Sequence, residues 1–268
     1  MTLSCGHVIP TENLIAWPVV KGPNNIEFDF TYEKRNLPTM IDELGDCIVR
    51  LCQVIPDGMV IFFPSYTYMD LVTSRWKQVG KSHRTIWDQL LVFKAVFGET
   101  KEGPNVEDVL REYSSAIDAG KGGLLLSVVG GKMSEGINFS DRLGRAVIVV
   151  GLPFPNMYSA EWKAKLEYVE QTTIDRGRSL TDGKSAAREF YENACMRAVN
   201  QSIGRAIRHQ KDFASIILLD RRYDSPRIKE KLPGWIKEGL VENASSKPFT
   251  EVADSLQRFF RIERIPER

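Results

Sequence analysis

Four cysteines and three histidines among 268 residues leave little material for a disulfide scaffold or a zinc site. Cys47 and Cys52 are five apart in a helix-patterned segment. That spacing separates them by about 140° around the helix, too far to share a metal. Free, buried thiols in a reducing compartment are the expectation for these and for Cys195. Cys5 and His7 would face one way on a strand, but no second pair of ligands follows nearby. No apolar run approaches the ~18 residues needed to span a bilayer. The first 20 residues lack a basic start followed by an apolar stretch, so no secretory signal is expected. With 20 Gly and 13 Pro the chain is neither collagen-like nor low-complexity, and no internal repeat is visible. A net charge of +1 removes the global electrostatic signature of a nucleic-acid binder. What is present, 43% hydrophobic and 26% charged residues, suffices at this length to bury a core without disulfides or metal.

Four apolar runs at 58–63, 123–129, 145–151 and 214–220 read as buried strands. Near-continuous apolar strands of this kind belong to parallel sheets covered on both faces. Helix-periodic segments lie between them at about 37–54, 66–78, 86–97, 106–119 and 186–201. The alternation predicts an α/β fold, a doubly wound parallel sheet with helices on both faces. The stretches 15–20 and 27–32 are candidate edge strands. The segment 159–200 contains no strand pattern and reads as a helical insertion with a mobile middle around 176–184. After Pro233 a terminal helix or two is expected, with Phe249, Val252, Leu256, Phe259 and Phe260 as its apolar face.

Ligands of such sheets sit beyond the carboxyl ends of the strands. Two stretches carry chemistry. In Gln201-Ser-Ile-Gly204-Arg205-Ala-Ile-Arg208, helical spacing puts Gln201, Gly204, Arg205 and Arg208 on one face. Two guanidiniums, planar and permanently charged, suit a phosphoryl group whose charge shifts during transfer. The run Gly130-Gly131-Lys132-Met133-Ser134-Glu135-Gly136-Ile137-Asn138-Phe139 directly follows a buried strand. A glycine-rich turn there can hold anions on backbone N–H groups. The segment 197–237 carries ten basic residues against four acidic ones, a local basic region within a neutral total.

Gln201–Arg208 resembles motif VI of superfamily 2 helicases, Gly131–Phe139 resembles motif V of their XPD-like branch, and Val60–Phe63 with Pro64-Ser65-Tyr66-Thr67-Tyr68-Met69 resembles its motif IV. The three occur in family order and at family-like spacing. Asn138, where most XPD-like relatives have Asp, and the opening Ser4-Cys5-Gly6-His7-Val8-Ile9-Pro10 are similar to the ChlR-type members, which are tied to sister-chromatid cohesion. The resemblance implies a RecA-like second motor domain of an iron–sulfur DNA helicase that moves 5′→3′ along single strands. It would span 1–268, with a helical insertion at about 157–197 and a helical extension at about 233–268. Arg205, Arg208 and Gln201 would act on the nucleotide as catalytic residues; Glu135, Gly136, Asn138 and Gly204 would line the ATP site; Ser65, Tyr66, Lys132 and Ser134 would hold DNA. ATP and Mg²⁺ would be shared with a first motor domain, and the four-iron–four-sulfur cluster would sit in that other half. Single-stranded or forked DNA, the N-terminal half in cis, and cohesion or replication proteins are the implied partners, with no membrane, in the nucleus.

The first half of such an enzyme is not found here. A P-loop around Gly183-Lys184-Ser185 would need Gly where Arg178 stands, and a preceding strand. Asp42-Glu43-Leu44-Gly45 mimics a DEAH-type box by two letters, but it lies in a helix-patterned run and reads as surface carboxylates. A single motor lobe of a longer enzyme is therefore expected, with Met1 an added start. A dinucleotide-binding enzyme is disfavoured, because no G-x-G-x-x-G follows a first strand. The alternative is a DNA- or protein-binding module that keeps the motor fold without turnover.

Overall fold

The computed structural model describes residues 10–79, 83–101, 105–133, 139, 141–205 and 211–262. In chain order the elements are β1 Leu14–Val19, α1 Pro38–Val54, β2 Gly58–Phe63, α2 Tyr66–Trp76, α3 Ile86–Phe93, β3 Ala95–Gly98, α4 Val106–Asp118 and β4 Gly123–Val128. There follow β5 Ala146–Val150, α5 Ala160–Asp175, α6 Leu180–Ile203, β6 Ala214–Leu219, α7 Pro226–Lys229, α8 Gly234–Glu238 and α9 Phe249–Ile262. The six strands form one sheet in the order β1-β6-β5-β2-β4-β3. Every pairing is parallel.

Successive residues of a strand face opposite sides. Met59, Ile61 and Phe63 of β2 therefore belong to the core layer shared with α1, α2 and α9 on one face, and Val60 and Phe62 to the layer shared with α4 and α6 on the other. Both faces are covered, as a doubly wound sheet requires. The terminal helix α9 buries Phe249, Val252, Leu256 and Phe260 along one stripe. The Cys47, Cys52 and Cys195 thiols are buried. Burial pushes Cys52 and Cys195 up to about 12. They are therefore packing groups rather than reactive ones. Cys5 and His7 lie outside the described residues.

Three expectations are corrected. The helix expected over 86–97 ends at Phe93, and Ala95–Gly98 forms a strand beside β4. A Thr85–Asp88 capping box starts α3, and Ala95 N–H then joins Gly122 O, switching the chain into the sheet. A short apolar run such as Leu90–Phe97 supports either reading. The stretch 27–32 is no strand; only a single bridge, Lys21 with Glu27, forms there. The stretch 176–184 is a short turn with Gly177 at φ 80°, followed by the first turn of α6, which a Ser179–Asp182 capping box begins. Glu43 is no surface carboxylate. It is 1% exposed, and it accepts from Asn24 N and Nδ2 at 2.8 Å each. Its neighbour Asp42 does face outward, in a 2.7 Å pair with Arg75. Gly183-Lys184-Ser185 lies inside α6, where its backbone N–H groups belong to the helix and cannot cradle a phosphate.

Candidate functional site

Two clusters of candidate residues lie at opposite ends of the strands, and one loop connects them. At the carboxyl end of β2, Ser65 caps α2: its Oγ accepts from Tyr68 N at 3.2 Å. Tyr68 is a core residue, 2% exposed, and its hydroxyl donates to Arg35 O at 2.9 Å. Burial raises its pKa. Tyr66, the first residue of α2, is only partly buried. Burial raises its pKa as well, with the neighbouring Glu99 carboxylate adding to the shift. Its Oη accepts from Lys132 N at 3.3 Å and so reaches the loop after β4.

That loop opens with Val129 N–H on Phe63 O at 2.9 Å. Gly130 adopts φ 69°, a left-handed conformation that favours glycine. At Gly131 an added Cβ would collide with the Glu99 carboxylate and lie 2.8 Å from Tyr66 Oη, so this position tolerates no side chain. Lys132 is exposed, with Nζ on Lys101 O at 3.0 Å. Met133 is buried. Ser134, Glu135, Gly136 and Asn138 lie outside the described residues. Phe139 is fully buried edge-on against Phe62. The chain then enters β5 at its amino end, while β4 stops at its carboxyl end, so the two ends of the loop are one strand length, about 20 Å, apart.

The second cluster lies at that amino end. α6 stops at Ile203, and Gly204 caps it with its N–H on Asn200 O at 2.9 Å. The single helical face expected to run on to Arg208 therefore ends early. Gln201 is exposed on the last turn of α6, and Arg205 is partly buried just beyond it. Gln201 borders a hollow of about 490 Å³ that Arg197, Asn200 and Lys231 also line. Arg208 and His209 lie outside the described residues. Arg205 O accepts from Phe139 N at 3.0 Å, which joins the two motif stretches through backbone.

A second tie stands beside it. Asp212 is 1% exposed. Its Oδ2 accepts from Asp141 N at 3.1 Å, and its Oδ1 accepts from Phe213 N at 2.9 Å and from Arg145 Nη1 at 3.0 Å. The Arg145 guanidinium also lies 3.7 Å from the centre of the Phe213 ring. Burial lowers the Arg145 pKa and the Asp212 charge opposes that.

The local basic region is less open than its composition implies. Arg222 pairs with Asp220 at 2.7 Å, Arg221 with Asp29 at 3.1 Å, Arg227 with Glu192 at 2.6 Å and Lys229 with Asp224 at 2.5 Å. Burial works to raise the Asp29 pKa, but hydrogen bonds from Thr31 and Lys34 and the Arg221 charge bring it down to about 2. Sequence reasoning missed Glu99 and Asp212. The only available signal was a carboxylate bordering an apolar run, which does not separate a buried clamp from a surface charge.

The profile of the helicase C-terminal domain matches residues 48–239, from α1 to α8 and through both clusters. The chain belongs to this family. The helicase C-terminal domain described here is 52% identical over 267 residues to "ATP-dependent DNA helicase CHL1" of Coccidioides immitis, covering 97% of this chain and 30% of that protein. It is 50% identical to "ATP-dependent DNA helicase chl1" of Neosartorya fischeri, covering 97% and 31%. Against the Schizosaccharomyces pombe protein of the same name it is 44% identical, covering 99% and 30%. The chain thus spans about a third of the length of the curated relatives it matches. Among solved structures, an apo XPD superposes with a TM-score of 0.54 at 24% identity, covering 84% of this chain and 38% of that one. Xpd4 of S. tokodaii superposes at 0.53 and 20% identity, covering 90% and 42%. The fold of the helicase C-terminal domain is accordingly RecA-like, and Ser65, Tyr66, Lys132, Gln201 and Arg205 all fall within the matched span.

Proposed function

We propose that this chain is the second motor lobe of an ATP-driven DNA helicase, one that works only with a first lobe supplying the phosphate cradle. The observation that carries the reading is the loop after β4, which starts beside Ser65 and Tyr66 and ends with Phe139 N–H on Arg205 O. A strand held at one end and a nucleotide met at the other would be coupled through a single covalent segment. In this reading Arg205 and Arg208 stabilise charge on the γ-phosphate, with Mg²⁺ and the β- and γ-phosphates held mainly by the other lobe. Gln201 senses the nucleotide; Glu135, Gly136, Asn138 and Gly204 complete its pocket. Ser65, Tyr66, Lys132 and Ser134 contact the strand. An iron–sulfur cluster in the other half, 5′→3′ movement, action in the nucleus and a role in chromatid cohesion belong to the same proposal. Its support is the similarity to proteins named as ATP-dependent DNA helicases.

Two tests separate this lobe from a binding module without turnover. The 268-residue chain alone is expected to show no ATP hydrolysis and little ATP crosslinking, and to crosslink once the first half is added, because positioning and charge stabilisation need both lobes. Robust turnover by the chain alone that Arg208→Ala abolishes would overturn the two-lobe reading. On single-stranded DNA the chain is expected to bind weakly and without base preference. Two to four cationic contacts, each contributing about −0.7, give a log–log salt slope of about −1.4 to −2.8. Lys132→Ala should flatten it by less than about one unit, as one phosphate contact does. A fluorescence anisotropy titration reads this, and salt-independent or base-specific binding would favour the binding module.

A further inference from the structure

We infer that Glu99 is a positioning residue that locks the loop after β4 to the amino end of α2, so that both DNA-facing elements meet a strand as one rigid unit. The inference rests on the reading of that loop as a DNA contact. Glu99 directly follows β3 at its carboxyl end and is 3% exposed. Its Oε1 accepts from Val128 N at 2.7 Å, the last residue of β4, and its Oε2 accepts from Met133 N at 2.9 Å, five residues on. The two oxygens therefore span the turn made by Gly130 and Gly131. Tyr66 closes the clasp from the α2 side: its Oη lies beside the Glu99 carboxylate over Gly131 and accepts from Lys132 N. The missing side chain at Gly131 is what lets the carboxylate and the phenol approach the turn together.

No salt bridge compensates Glu99 among the described residues. An uncompensated buried carboxylate is costly, and a strand end can be satisfied by neutral acceptors. What a carboxylate alone offers is two acceptor oxygens diverging toward two backbone donors. Glutamine fits the space but turns its NH₂ toward one of those N–H groups. Aspartate is one methylene short of bridging both. The chemistry of the clasp thus selects glutamate.

The experiment uses the full-length helicase that contains this chain, with poly-dT oligonucleotide as the probe. For Glu99→Gln, the DNA concentration giving half-maximal ATPase stimulation should rise about 10-fold or more, the scale of losing a charge-assisted hydrogen bond. DNA-independent turnover should stay near wild type, because Glu99 is remote in the fold from Arg205 at the other end of the loop. Hydrogen exchange of the segment 128–133 should quicken, while β5 stays protected. Tyr66→Phe, which removes one oxygen from a partly exposed ring, should move the same two readouts in the same direction by less. The double variant should be no worse than Glu99→Gln, since both act on one clasp. Unchanged exchange in 128–133, or faster exchange with an unaltered DNA requirement, overturns the inference. So does a parallel fall of basal turnover and β5 protection, which would mean that Glu99 serves only the fold. A wild-type enzyme whose ATPase ignores DNA sinks the helicase reading itself, and the inference with it.

Discussion

In the full-length protein, Arg208→Ala should lower ATP turnover by about 10³-fold or more, with DNA affinity nearly unchanged. The basis is the transition state of phosphoryl transfer, in which charge spreads over the equatorial oxygens of the γ-phosphate and a guanidinium contributes on this scale. Arg205 stands just past the end of α6, and its carbonyl is committed to Phe139 N–H. The Arg205 backbone is therefore bound into the loop that reaches Tyr66, and its carbonyl keeps that tie whatever side chain stands there. Arg208→Lys should fail to restore activity, because an ammonium is a point charge without the planar fork. Steady-state ATPase assays with and without DNA check this, and near-normal turnover of the lysine variant would reduce Arg208 to a basic surface group.

The largest expected effect on stability is at Asp212. Asp212→Ala leaves the Arg145 guanidinium buried without its carboxylate and removes the acceptor of Asp141 N and Phe213 N. Removing one partner of a buried pair costs about 3–5 kcal/mol. At about 2–4 °C per kcal/mol for a chain of this size, the unfolding midpoint should fall by about 10 °C. The double change Arg145→Met with Asp212→Leu should recover most of that loss, because it removes the stranded charge as well. Urea and thermal unfolding of the single and double variants measure it. A loss under about 1 kcal/mol in the single variant would show that water reaches Arg145 and that the tie between the two motif stretches is weak.

Much of the fold was legible in the sequence. The four apolar runs became β2, β4, β5 and β6 almost residue for residue. Runs that long have no amphipathic alternative, so burial on both faces was the only consistent outcome. β3 was not legible, because its four residues follow the apolar end of a helix with only Lys94 between them. Of the candidate site, Ser65, Lys132, Gln201 and Arg205 were singled out by the motif stretches that resemble the family's, and the structure adds how those stretches are connected.

The sequence by itself determined the α/β class, the parallel sheet and the order of the three motif stretches along the chain, because hydrophobic period and residue chemistry are local properties. Only the tertiary structure decided that β2 lies between β5 and β4. It alone decided that Glu43, Glu99 and Asp212 are buried while Asp42 faces outward. Glu99 reaches donors 29 and 34 positions away, and Asp212 reaches one 71 away. The depth of a carboxylate and the donors it meets depend on which strands become neighbours, and no local pattern carries that information.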